Sequence, residues 1–313
     1  MSHENHVPVL IHLADPDADP AASNPVAKII EGHLLSRGRS RDPGATACDA
    51  HTFWAPEFFG LHKVRFFQDA DEHLQRKILD GCARTMLNEA YFIEKSGLAY
   101  CAKMILLADS AQVEQVYGLI AADEASHLQW VRPFVAEADR GQPEGELLRF
   151  LGELIGRCDQ NTLAYLVQVI LEGWGLHHYK ALADACQSAA PQEVFRSIQR
   201  DEAMHHHTGE VVFDPNTSRQ SELIEDGLRR YTEMVRVGPQ ALVSVLDHEL
   251  GGLNKKEKVT AFSELETEVN SAGKLRLLKS LIAGPGRERY LAKLEEKGAF
   301  TPYSPEVCAS VPD

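Results

Sequence analysis

The sequence has too few basic residues for a polyanionic partner: 32 Lys and Arg stand against 46 Asp and Glu, a formal charge of −14. With no basic surplus to neutralise phosphates, nucleic acid is excluded as the expected partner. No apolar run approaches the ~20 residues that a membrane helix needs, so no membrane span is expected. The start, MSHENHVPVLIHLADP, lacks the basic n-region of a secretory signal. Six cysteines lie far apart and none form a C-x-x-C pair, which excludes a thiolate metal knuckle and a thioredoxin-like motif. Scattered cysteines in a chain of 313 residues fit core packing in a reducing compartment, and a soluble cytoplasmic protein is expected.

Strand signals are also few. Residues 14–50 are rich in Asp, Pro, Ala, Ser, Gly and Arg and read as a covering arm, with a short helix at Val26 to Leu35. From about Gln68 apolar residues recur at three- and four-residue spacing, the mark of amphipathic helices. Helices are expected over 70–108, 111–138, 145–157, 161–186, 191–213, 218–248, 255–282 and 286–297. Asp109-Ser110 breaks the first pair, Asn161-Thr162 offers a cap, Pro191 suits a first turn, and Asn254 caps the Lys255–Lys258 run. The expected class is all-α. The expected division is an N-terminal arm over 1–67, a four-helix bundle over 68–213, and a C-terminal helical extension over 214–313. That extension either packs on the bundle or forms the face of a homodimer.

The informative feature is a repeat. Residues 94–127 align with 172–205 at an offset of 78 without a gap, and eleven of the 34 positions are identical; ordinary composition would give about two. The shared pattern is E-x-x-G-L on one helix and V-[YF]-x-x-I-x-x-D-E-A-x-H on the next. Glu124 and His127, like Glu202 and His205, are three apart and project from one helical face. Glu94 precedes Glu124 by 30 residues, and Glu172 precedes Glu202 by the same interval. About 15 residues up one helix and down the next is roughly 22 Å each way, so each lone Glu lies level with its partner motif. Two such hairpins face to face place four carboxylates and two imidazoles at one depth, a ligand set for two metal ions. An E-x-x-H alone fits a solvated helix face beside a core histidine; the repeated register is what favours metal. Oxygen-rich ligands with two nitrogens favour iron or manganese. The bridging carboxylates are open at this point. Asp123 and Asp201 are placed to accept hydrogen bonds from the ligand histidines.

At these residues the chain resembles the ferritin-like diiron-carboxylate superfamily, whose pattern is E…E-x-x-H…E…E-x-x-H. Within it, EGWGLHHYKALADACQ…RDEAMHHHTGE, with its H-x-x-x-G-E ending, looks most like the aldehyde-deformylating oxygenases. Arylamine N-oxygenases are a second relation. The resemblance covers about residues 80–212, and this chain carries further segments at both ends. It implies a ferritin-like four-helix bundle and two iron ions, or a Mn/Fe pair, held by Glu94, Glu124, His127, Glu172, Glu202 and His205. It implies a monooxygenase-like reaction of O2 with a small, fairly apolar organic substrate: hydroxylation, N-oxygenation or oxidative C–C cleavage. Electrons come from an electron-transfer partner or a chemical reductant. The alternative is a ferritin-like ferroxidase.

Other residues have two readings. Glu89 is a rival to Glu94, although its repeat counterpart is Val167. His206 is either a seventh ligand or a half-buried neighbour, while His177 and His178 lie off the ligand face. Gly97 and Gly175 either pack helices or leave room beside the metals, and Gly173 with Gly175 tips the substrate side toward the second hairpin. Tyr91, Tyr117, Tyr165 and Tyr179 are core residues or redox-active ones. Tyr91, Val116, Ile120, Val169 and Ile198 are expected to line the ligand faces with apolar surface.

Overall fold

The computed structural model describes residues 25–39, 44–141, 145–217 and 220–311. Every regular element among them is helical. After α1 (Pro25–Ser36) and a few short turns come α2 (Glu72–Leu107) and α3 (Ala111–Val131), which form the first long hairpin. Asp71 starts α2 by accepting the Leu74 amide at 2.8 Å, and Ser110 caps α3 by accepting that of Val113 at 3.3 Å. The helix α4 (Glu146–Arg157) then leads to α5, a continuous helix over residues 160–185, and α6 (Ala189–Val212), the second hairpin. Contacts between α3 and α6 join the two hairpins.

The middle of α5, Ala164–Glu172, is π-helical, with no counterpart in the straight α2. Such widened turns cluster at functional sites, and this one ends on Glu172. It is held from both sides. The Tyr117 hydroxyl donates to Gln168 Oε1 at 2.7 Å, and Gln168 Nε2 donates to the His205 carbonyl at 3.2 Å. On α6, a Cβ at Gly209 would lie 2.5 Å from the Gln168 Cβ and 3.1 Å from its backbone carbonyl carbon. Only glycine admits that approach, which gives the glycine of the H-x-x-x-G-E ending a packing role.

Beyond the hairpins lie α7 (Ser221–Arg236), α8 (Gln240–Glu249), α9 (Lys255–Glu264), α10 (Thr267–Ile282) and α11 (Glu288–Glu296). α8 packs on α2, where Val245 occupies the space that a Cβ on Gly81 would need. Just before α11, the buried Arg287 forms a two-pronged ion pair with Glu210, the glutamate of the same ending, one arm at 3.0 Å. Its guanidinium also lies over the Tyr165 and Phe213 rings at 5.2 and 5.3 Å. Glu210 is 38% exposed, so its own desolvation is small, but removing it leaves the buried Arg287 charge without its partner. Glu210→Ala is therefore expected to lower stability by about 1 kcal/mol in chemical denaturation, and an unchanged stability would contradict this account.

The sequence boundaries need four corrections. α3 stops at Val131 because Pro133 cannot continue it, so 132–138 is not part of the helix. The single helix expected over 218–248 is two, parted at Gly238, whose φ of 75° is left-handed, and Pro239. The one expected over 255–282 is also two, parted at Glu266, with φ 52°. The cap of α5 is Asp159, which accepts the Thr162 amide at 2.8 Å, rather than Asn161 or Thr162. Asn254 does cap α9, with Glu257 completing a capping box.

Candidate metal centre

Two overlapping ligand groups lie between the hairpins. Glu94 from α2, Glu124 and His127 from α3, and Glu202 from α6 bring ligand atoms within 4.8 Å of one another; so do Glu124, Glu172 from α5 and His205 from α6. Glu124 belongs to both. The structure thus gathers all six residues that the repeat singles out. Glu89 is in neither group.

Both imidazoles point Nδ1 into the carboxylates. His127 Nδ1 is 3.0 Å from Glu94 Oε2, and His205 Nδ1 is 3.2 Å from Glu124 Oε1. Two carboxylates reach both rings. Glu124 lies 3.9 Å from His127 Nδ1 through its other oxygen, while Glu202 spans 3.7 Å to His127 and 3.5 Å to His205 with its two oxygens. The outer nitrogens cross between the halves: His127 Nε2 meets Asp201 Oδ2 at 3.0 Å, and His205 Nε2 is 3.5 Å from Asp123 Oδ2. Each aspartate thus serves the histidine of the other repeat.

The electrostatics fit a cation. Burial, with the charge of Glu94 adding to it, pushes the Glu124 carboxyl up to about 7 against the pull of His205. Burial and the neighbouring Glu202 put Glu172 well above the usual carboxylate range. Carboxylates crowded out of water, as Glu124 and Glu172 are, hold protons unless positive charge joins them. Burial alone would also raise Glu94 and lower His127, but their mutual hydrogen bond, the Tyr179 hydroxyl on Glu94 and Asp201 on His127 reverse both directions. Meanwhile Glu202 Oε2 and both ring nitrogens of His205 are buried with no hydrogen-bond partner. Unsatisfied buried donors and acceptors are costly, and two of these atoms, Glu202 Oε2 and His205 Nδ1, face each other 3.5 Å apart inside the cluster. Bound metal would satisfy those two atoms, and the donor set is carboxylate and imidazole with no thiolate.

The two halves are not equivalent. On α2 a Cβ at Gly97 would lie 2.3 Å from Glu124 Oε2, so the carboxylate occupies the space that this glycine leaves. At the repeat counterpart, Gly175, a Cβ would meet nothing within 4 Å. Glu172 is half-buried, whereas the other five residues are 0–3% exposed. Glu172, on the second hairpin, is thus the most exposed of the six. Gly173 is a packing glycine, since a Cβ there would meet Leu281 at 2.7 Å and His206 at 3.0 Å.

His206 is in neither ligand group; its Nδ1 lies 3.2 Å from the Gln168 carbonyl, against the π-helical turns. Val116, expected on a ligand face, is 37% exposed and is corrected to a surface position on α3. Tyr91, Ile120, Val169 and Ile198 are buried. Tyr179 donates its hydroxyl to Glu94 Oε1; its repeat counterpart is Cys101. Sequence reasoning missed Arg39, on the segment after α1, which ion-pairs with Asp123 at 2.6 Å and Asp201 at 2.7 Å. No periodicity or motif marks it. Among the described residues no helix is long and apolar enough to cross a membrane. No protein-family model matches the chain, and no curated protein and no solved structure matches it.

Proposed function

We propose that this chain is a dinuclear iron oxidoreductase that uses O2 to oxidise a small, fairly apolar organic molecule. The observation that carries the reading is the pair of buried ligand groups sharing Glu124, built of carboxylate and imidazole alone. Glu124 and Glu202, each within reach of both imidazoles, would bridge the ions. Glu94 with His127, and Glu172 with His205, would complete the two groups that hold them. When bound there, two iron ions supply reversible one-electron chemistry and open positions for O2, with electrons from an external reductant.

The protein's own contribution is shape and exclusion of water. Tyr179 orients Glu94 through its hydroxyl, and the crossed aspartates orient the imidazoles. The half-buried Glu172 and the free space at Gly175 favour an approach for substrate and O2 at the second hairpin. Buried apolar side chains, among them Ile120, Val169 and Ile198, keep water from the remaining sides.

The test is oxygen consumption by the reduced, iron-loaded protein, with medium-chain aldehydes and arylamines as probe substrates and isotope-labelled O2. Uptake of O2 that depends on Glu124 and is coupled to an oxidised organic product is the expected result. Absence of any coupled product, with progressive uptake of many iron atoms by a large assembly, would replace this reading by ferroxidase and storage.

A further inference from the structure

Arg39 stands at a singular place in the fold. Its Nη2 pairs with Asp123 Oδ1 at 2.6 Å and its Nη1 with Asp201 Oδ2 at 2.7 Å. Those aspartates occupy identical positions in the two repeats, 78 residues apart, and each faces the histidine of the opposite repeat. One guanidinium therefore touches both halves through equivalent atoms. The arginine is itself fixed: the Trp130 indole donates to the Arg39 carbonyl at 2.7 Å, and the guanidinium lies 5.5 Å from the Trp130 ring centre. The Arg39 amide closes the end of α1 on the Leu34 carbonyl at 2.8 Å.

We infer that Arg39 is a shared positioning residue for both metal ligand histidines, supplied to the bundle by the N-terminal segment. The physical reason is the shape of its head. A guanidinium is planar and presents two parallel donor edges, so it can hold two carboxylates at a set separation. Each aspartate is then fixed with an oxygen toward an imidazole Nε2. His127 Nε2 is engaged in this way at 3.0 Å and Asp123 Oδ2 stands 3.5 Å from His205 Nε2, so each ring presents Nδ1 to the carboxylate cluster, the atom that a metal needs. Arg39, Asp123 and Asp201 are each about a quarter exposed, so the same bridge closes the histidine end of the cluster.

The inference rests on the metal-binding reading and deepens it, and the experiment separates the two. The full chain is loaded with Co(II), and release of the ions to a chelator is followed by the cobalt absorption bands. Arg39→Gln is expected to release both ions about tenfold faster or more, the range for loss of a ligand-orienting partner, and to shift the bands of both sites. Asp201→Ala is expected to speed release of one ion only. Arg39→Lys keeps the charge but cannot span two carboxylates. It is expected to release metal nearly as fast as the Gln variant, and it serves the same comparison should that variant not fold. Circular dichroism checks the fold of each. Release from Arg39→Gln at the wild-type rate, release of only one ion faster, or full rescue by Lys would each overturn the inference while leaving the metal site intact. A wild-type chain that binds no cobalt would overturn the metal reading and this inference together.

Discussion

Replacing Glu124 by alanine is expected to remove both metal ions from the folded protein, whereas Glu172→Ala removes only the one shared with His205. The difference follows from placement. Glu124 supplies an oxygen to each ligand group, 3.9 Å from His127 Nδ1 on one side and 3.2 Å from His205 Nδ1 on the other. Glu172 belongs to one group. Loss of the shared carboxylate takes one negative ligand from each ion, and it leaves Glu202 alone to hold the two sites together. Charge balance points the same way: four carboxylates neutralise two divalent ions, and the shared one is felt by both. The wild-type chain should carry about two ions, the Glu172 variant about one, and the Glu124 variant close to none. Elemental analysis of purified, folded protein gives the numbers directly. Equal occupancy in the Glu124 and Glu172 variants would show that Glu124 does not bridge. Full occupancy in both would dismiss the site.

How much of this was legible beforehand follows from what a repeat can and cannot encode. The six clustered residues recur at one offset, so alignment of the chain with itself finds them. The crossing of Asp123 to His205 and Asp201 to His127 is not legible, because alignment pairs each aspartate with its own motif and says nothing of which hairpin it faces. Arg39 is invisible for a stricter reason. A residue that contacts both halves through equivalent atoms occurs once, and a search for repeated positions passes over it. The π-helical turns of α5 are hidden as well, since the apolar run Ala164–Ile170 suits α- and π-turns alike. Helix ends were misplaced where one backbone conformation decides them: the left-handed residues at Gly238 and Glu266 each divide what the apolar spacing reads as one helix. Long amphipathic segments were legible because burial of one face dominates their energetics.

The repeat also offers an internal control, because the same substitution at its two conserved glycines should have opposite consequences. Gly97→Ala is expected to weaken metal binding about tenfold or more, the range for disturbing a ligand's support, while Gly175→Ala leaves it unchanged. A methyl at 97 would sit 2.3 Å from Glu124 Oε2 and 2.6 Å from its carboxyl carbon, so the Glu124 carboxylate must move. At 175 nothing lies within 4 Å, so a methyl is accommodated. Both glycines lie inside long helices, where alanine is preferred by about 1 kcal/mol, so neither variant should be lost to unfolding. The propensity gain is the same at both sites, and the contrast in metal retention isolates the displacement of Glu124. Parallel Co(II) titrations of the two variants, with thermal melts of the metal-free proteins, make the comparison. Equal metal affinity in the two would mean that Glu124 can bind from another rotamer. Loss confined to Gly175→Ala would place the crowded side of the centre at the second hairpin, and with it move the approach for O2 and substrate to the first.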